Sequence, residues 1–250
     1  MKAVAIIQAR MGSTRLPGKV LRVLGNATVL AHVVRRAQRA SSIDAVVVAT
    51  TELPQDEAIV EAGLALGVSV FRGSEDDVLS RYYLAAKRAG ADVIVRITSD
   101  CPLLDADVLQ AMVARFLAMH RRGTRVDYLS NTLTRTYPRG LDVEVFTFAA
   151  LERAHREASD AAEREHVTPY IYRNPGIFKI ERHTNAVDAS RYRWTLDTED
   201  DWQLLQRIFA RLGGHRDDFT TREVFDLLAR EPELAAINSH VAQKEAGHPS

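Results

Sequence analysis

The chain has 250 residues, 46% of them apolar, and its 33 Lys plus Arg balance 33 Asp plus Glu. That length suits one α/β domain with a sizeable core; no apolar run is long enough to span a bilayer, and the balanced charge excludes a global field for holding nucleic acid. The single cysteine, Cys101, excludes an internal disulfide and a cysteine-built zinc site and fits a reducing, cytoplasmic setting.

The short apolar stretch before Gln8 falls below the length of a secretory signal. Residues 3–8, 44–50, 68–71 and 92–97 are β-branched runs that read as buried strands. Between them lie helical patterns at 28–40, 54–66 and 76–89, the first with Val29, Leu30, Val33 and Val34 on one face. This alternation predicts right-handed βαβ units and a largely parallel sheet. After a helix at 105–121 come a strand near 125–129, an alternating strand at 141–146 and helices at 147–158 and 160–174. Strands at 176–182 and 191–196 and helices near 199–212 and 220–229 close the chain. No linker marks a second domain. Ligands of such sheets sit outside the carboxyl ends of the strands, which directs attention to the loops after residues 8, 50, 71 and 97.

"QARMGSTRLPGKVL", residues 8–21, follows the first strand. Arg10, Arg15 and Lys19 supply charge, while Gly12, Ser13 and Thr14 let backbone N–H groups approach a ligand and add hydroxyl donors. A triphosphate cradle and a solvated turn both fit these residue types, and neither GxxxxGK[ST] nor GxGxxG is present. Lys19 is one of only five lysines in an arginine-rich chain, which favours the cradle. In "FRGSEDDVLSRY", Arg72, Gly73 and Ser74 occupy the loop after the 68–71 strand, and Glu75, Asp76 and Asp77 read as the first turn of the next helix.

In "RITSDCPLLD", residues 96–105, Asp100 follows a β run and precedes Pro102, so it falls in the crevice region. An oxygen ligand there suits Mg²⁺; a turn aspartate bonding its own backbone would have the same surroundings. Asp105 reads as a helix N-cap. In "RWTLDTEDDW", residues 193–202, Thr198 reads as an N-cap, and Glu199, Asp200 and Asp201 complement the helix dipole. Asp197 lies outside that cap and is not explained by it. Facing the same crevice, Asp100 and Asp197 would form a divalent-metal site. Asp142 and Glu144 share one strand face, which a solvent-facing surface would also do. "EREHVTPYIY" gathers Glu163, Arg164, Glu165 and His166 before Pro169; with Asn131 and Arg139 these residues are candidates for a sugar pocket.

Together these segments resemble the SpsF-like branch of the sugar cytidylyltransferases, relatives of the CMP-sialic acid and CMP-Kdo synthetases, over roughly residues 2–245. The resemblance implies a three-layer α/β/α nucleotide-diphospho-sugar transferase fold, GT-A-like and Rossmann-like, with a mixed, mainly parallel sheet and a small inserted lobe. It implies one nucleotidyltransferase domain over 1–245, with a nucleotide-binding half at about 1–125, a sugar-binding, sheet-completing half at about 126–245, and a tail at 246–250. The implied reaction is Mg²⁺-dependent: CTP and a sugar hydroxyl give a CMP-sugar and pyrophosphate. Gln8, Ala9, Arg10, Gly12, Ser13, Arg15, Lys19, Arg72, Gly73 and Ser74 would bind the nucleotide. Lys19, Arg15 and Asp100 would be catalytic, Asp100 and Asp197 would hold the metal, and Asn131, Arg139, Asp142, Glu144 and His166 would meet the sugar. Relatives specific for acidic sugars usually read "PAR.GSKR", so Gln8 and Thr14 depart from that pattern. The expected partners are the nucleotide and a small sugar, with a homodimer allowed and no nucleic acid or membrane. Two other readings stay open: a GT-A glycosyltransferase, which usually carries Asp-any-Asp where this chain has "SDCPLLD", and a non-catalytic nucleotide-binding subunit.

Overall fold

The computed structural model describes residues 1–213 and 218–242; the expected tail at 246–250 lies outside them. The first half runs β1 (Ala3–Gln8), β2 (Val23–Leu24), β3 (Ala27–Thr28), α1 (Val29–Arg39), β4 (Ala45–Thr51), α2 (Glu57–Ala65), β5 (Ser69–Gly73), α3 (Val78–Ala89), β6 (Val93–Thr98) and α4 (Ala106–Arg121). The second half continues with β7 (Tyr128–Ser130), β8 (Glu144–Thr147), α5 (Phe148–Glu157), α6 (Ala161–His166), α7 (Pro169–Tyr172), β9 (Ile180–Arg182), α8 (Glu199–Ile208), α9 (Thr221–Arg230) and α10 (Pro232–Ala236).

Seven strands form one sheet in the order β5-β4-β1-β6-β8-β7-β9. β1 pairs in parallel with β4 and β6, and β4 with β5, while β8 runs antiparallel to both β6 and β7. β9 is again parallel to β7, so β8 alone opposes the common direction. The period of two along β1 builds the layers. Ala3, Ala5 and Ile7 pack with Leu30 and Val33 of α1 and Met112 of α4, and Val4 and Ile6 pack with Leu79 and Tyr82 of α3 and Leu151 of α5. A third apolar cluster joins Trp194, Trp202, Phe209, Phe219 and Leu227 to Leu24 of the β2–β3 hairpin.

Several elements differ from the sequence expectation. The 191–196 strand joins no ladder, and its one bridge pairs Arg193 with Arg139. Gly140 gives the reason. It sits at φ 101°, where the chain turns out of the parallel bridge, and a Cβ there would lie 2.7 Å from the Trp194 carbonyl carbon, so the close approach admits only glycine. The helix expected over 160–174 breaks into α6 and α7 at Val167, whose φ of 73° and ψ of −55° form a γ-turn closed by Thr168 N–H on His166 O at 2.9 Å. The strand expected from 141 starts only at Glu144. Ahead of it the Asn131 side chain takes the place of the ladder, donating to Leu141 O and accepting from Val143 N–H. The acids at 75–77 precede α3 instead of forming its first turn, with Asp77 as N-cap accepting from Ser80 N–H.

Because β1, β4, β5 and β6 run in one direction, the loops following them all meet at one edge of the sheet.

Candidate active site

The loop after β1 is folded by its own backbone and by one buried acid. Met11 O accepts from Ser13 N–H at 2.8 Å and Gly18 N–H at 3.1 Å, closing residues 11–18 into a compact bend. Gly18 adopts φ 67°, which turns the chain so that Lys19 starts a single 3₁₀ turn. The Met11 N–H donates to Asp56 Oδ1 at 2.7 Å, and the Thr51 hydroxyl donates to Asp56 Oδ2. Asp56 is fully buried beneath the loop, in the turn that leads into α2. A carboxylate of the β4–α2 connection therefore fixes the shape of the β1 loop.

That shape delivers Lys19 to the far side of the cavity. Its ammonium donates to Asp100 Oδ2 at 2.7 Å, Asp197 Oδ1 at 2.9 Å and the Leu196 carbonyl at 2.7 Å, which uses all three of its protons. Two acids 97 positions apart in sequence thus share one cation. Lys19 is 8% exposed, and burial works against its charge; the two carboxylates outweigh that and hold it above the usual lysine range. Burial likewise opposes ionisation of Asp100, and the contact with Lys19 outweighs it, keeping this carboxyl below its usual range.

Asp197 is held from the other side. Arg193 Nη2 donates to its Oδ2 at 2.6 Å and Arg15 Nη2 lies 3.3 Å from the same oxygen. Arg193 is in turn gripped by Asp201, which is fully buried and also accepts from Asp197 N–H, Thr198 N–H and Asn238 Nδ2. Asp201, read from the sequence as complementing the helix dipole, also closes a capping box with Thr198. Capping accounts for one of its oxygens, and the other orients the arginine behind Asp197.

Mg²⁺ keeps several waters and takes one or two carboxylates plus substrate phosphates. The donor set fits that habit. The two carboxylates converge on one ammonium at the cavity wall, the Cys101 thiol lies 3.5 Å from Asp100 Oδ1, and among the described residues no larger group of metal-ligating side chains encloses the spot.

The cavity measures about 630 Å³ and is lined by Gln8, Ala9, Arg10, Ser13, Arg15 and Lys19 from the β1 end, together with Asp100 and Asp197. Thr14, Glu75, Asp76, Arg81, Glu165 and His166 also face it. Gly12 turns toward Gln55, and a Cβ there would lie 3.4 Å from the Gln55 amide nitrogen. Arg72 faces away from the cavity, binding the Thr51 and Leu53 carbonyls and Glu57, while Gly73 packs on Phe71 and Arg81. Ser74 accepts from Asp77 N–H and, through its carbonyl, from Arg81.

Of the five sugar candidates, His166 lines the cavity. Glu144 is instead buried between Arg96, Tyr128 and Thr168, Asp142 pairs with Arg135, and Asn131 is the backbone brace described above. Arg139 meets the 192–194 segment through its backbone. Asp105 caps α4 as expected, accepting from Asp107 and Val108 N–H. Asp56, which shapes the β1 loop, Arg193, which holds Asp197, and the cavity-lining Arg81 are not singled out by the sequence, and Asp201 was read there only as complementing a helix dipole. An arginine four residues before an unexplained aspartate was the available signal for Arg193; Asp56 and Arg81 sit in ordinary helix-start and helix-face positions.

The cytidylyltransferase family profile matches residues 4–208. The chain is 42% identical over 248 residues to the uncharacterized protein MJ1063 of Methanocaldococcus jannaschii, covering 98% of this chain and 97% of that one. It is 34% identical over 237 residues to the spore coat polysaccharide biosynthesis protein SpsF of Bacillus subtilis, covering 92% and 95%. A solved cytidylyltransferase from Leptospira borgpetersenii superposes with a TM-score of 0.89 at 37% identity, over 98% of this chain and all of that one. The fold is that of the nucleotide-diphospho-sugar transferases, and the chain belongs to the cytidylyltransferase family.

Proposed function

We propose that this nucleotidyltransferase moves CMP from CTP onto a sugar hydroxyl and releases pyrophosphate. The observation that carries the reading is the junction of the basic loop with two carboxylates through Lys19 at the cavity wall. Family membership supports CTP as the nucleotide.

Arg10, Arg15 and Lys19 meet the β and γ phosphates, where fixed positive charge stabilises the departing pyrophosphate. Arg15 and Lys19 already rest on Asp197 and Asp100, so loop and acids are aligned before substrate arrives, which lowers the entropic cost of in-line attack. Asp100 and Asp197 would hold Mg²⁺, which when bound neutralises charge at the α-phosphate and lowers the pKa of the attacking hydroxyl. His166, set at the end of α6 beside the γ-turn, faces the sugar. Residues 1–125 thus serve the nucleotide and 126–245 the sugar, with Asp197 contributed across that division. Kinship with SpsF supports a role in polysaccharide precursor synthesis.

The test is pyrophosphate release from each of four nucleoside triphosphates with phosphorylated, neutral and acidic sugars, with Mg²⁺ and with chelator. CTP with one sugar class is expected to react, and chelator to abolish release. Turnover of only a preformed nucleotide-sugar would instead identify a glycosyltransferase, and nucleotide binding without turnover a non-catalytic subunit.

A further inference from the structure

After α10 the chain turns at residues 237–240, beyond the 4–208 stretch that the family profile matches. Asn238 of that turn is a polar side chain only 3% exposed. Its Nδ2 donates at 2.8 Å to Asp201 Oδ1 and at 2.8 Å to the Arg193 carbonyl, which uses both amide protons. Arg193 Nε donates to the same Asp201 oxygen at 2.9 Å. One amide thus holds Arg193 at both ends, by its backbone and by the acid that grips its guanidinium.

Docking of the C-terminal segment does not call for that amide. Leu234 and Ile237 seat the segment in the apolar cluster that holds Leu204 and Leu205 of α8, and the capping box of α8 closes between Thr198 and Asp201. An amide taken out of water costs free energy unless its groups are paired, so the meaning of Asn238 lies in its partners. Those partners hold Asp197. The 193–197 segment joins no ladder and has one bridge, from Arg193 to Arg139, so its course leans on side-chain bonds. Asp197 gives Oδ1 to Lys19 and Oδ2 to Arg193 Nη2 at 2.6 Å. Arg15 reaches that second oxygen from the exposed β1 loop, whereas Arg193 is buried behind it. Rotation of the Arg193 guanidinium would free the Asp197 carboxylate to turn, and Asp201 with Asn238 opposes that rotation.

We propose that Asn238 is a positioning residue for the transfer reaction, holding the Asp197 carboxylate in place on the cavity through Asp201 and Arg193. The assignment rests on the nucleotidyltransferase reading above, in which Asp197 would hold Mg²⁺. It makes the C-terminal turn, outside the matched profile, part of the site. His240 of the same turn instead pairs with Asp200 at the surface, at 3.1 Å, and supplies the control.

The experiment compares full-length wild type, Asn238→Ala, Asn238→Leu, His240→Ala, Asp197→Asn and the double variant Asn238→Leu with Asp197→Asn. It measures thermal melting, calorimetric CTP binding with Mg²⁺ and with chelator, and kcat for pyrophosphate release with the sugar that the wild type uses. Both Asn238 variants are expected to bind CTP like the wild type in chelator and to lose at least about threefold of the affinity that Mg²⁺ adds, with kcat falling about tenfold. The KM for CTP should change less than kcat. In the double variant kcat should equal that of Asp197→Asn, because the amide acts through that carboxylate. His240→Ala should match the wild type throughout. A wild-type kcat or a wild-type Mg²⁺ effect in either Asn238 variant, with or without a lower melting temperature, would make the amide a structural tie and overturn the assignment. Losses that multiply in the double variant would overturn it as well. A wild type that binds CTP equally with and without Mg²⁺ would instead remove the metal role of Asp197, and one that releases no pyrophosphate the transfer reading; this assignment would fall with either.

Discussion

Lys19 and Asp56 divide the work of the β1 loop between charge and shape. The ammonium sits where the phosphates and both acids must meet, and Asp56 holds the bend that puts it there. Asp56→Ala leaves the Met11 N–H and the Thr51 hydroxyl without their buried acceptor, a loss of about 1–3 kcal/mol per group in such settings. Steady-state kinetics should show the nucleotide KM rising about tenfold with a smaller change in kcat, as expected when ground-state and transition-state binding are lost together; a lower melting temperature with an unchanged KM would make Asp56 purely structural. At this scale the sequence was informative where a local rule failed. Asp197 stood out because cap chemistry did not account for it and Asp100 because it fell in the crevice after a strand, and the fold brings them onto one cation. Asp201 stayed hidden because a place in the first turn of the helix, complementing its dipole, was explanation enough, although the same carboxylate also orients Arg193. Glu144 misled for the opposite reason: strand alternation cannot tell a solvent face from an inner face that holds Arg96 and Tyr128.

Among the elements, α6 is the most conditional. It has six residues, too few to be stable alone, and it is tied down by Arg164. That guanidinium donates to Asp77 Oδ2 at 2.6 and 3.0 Å, to the His155 and Ala158 carbonyls, and to His155 Nδ1 at 3.3 Å. The clamp joins α6 to the N-cap of α3 and the end of α5, and so places His166 on the cavity. Burial, then the charge of Arg164, pulls the His155 pKa below its ordinary 6.5. The unfolded chain therefore takes up a proton at a higher pH than the folded one, and stability is lost as pH falls below 6.5 through the folded value. Thermal melting from about pH 7.5 to 5.5 should fall more steeply for the wild type than for His155→Gln, which keeps an acceptor for Arg164; equal slopes would sever His155 from the clamp. The break at Val167 was not legible. A γ-turn centred on a β-branched residue contradicts local preference, and only the packing of α6 and α7 against α3 and α5 enforces it.

For the whole molecule, alternating strands and helices gave β1, β4, β5 and β6 and the helices between them nearly to the residue, because buried parallel strands carry continuous apolar runs, but not the two-residue strands of the β2–β3 hairpin. The second half was harder to read. β7, β8 and β9 have only three or four residues each, the Asn131 brace replaces ladder bonds that a sequence pattern would assume, and the 191–196 segment makes a single bridge beside Gly140. The sheet nevertheless serves one end. Four parallel strands bring the β1 loop, the Asp56 turn and Asp100 to a common edge, and the 193–197 segment closes the site with Asp197. The central claim is that these parts form one nucleotidyl-transfer site. It is tested most directly by pyrophosphate release from CTP and Mg²⁺, with the sugar panel, by the wild type and by Asp100→Asn. The account predicts release by the wild type and a loss of at least about a hundredfold in the variant, with nearly the same thermal stability. Release at the wild-type rate by Asp100→Asn would contradict it.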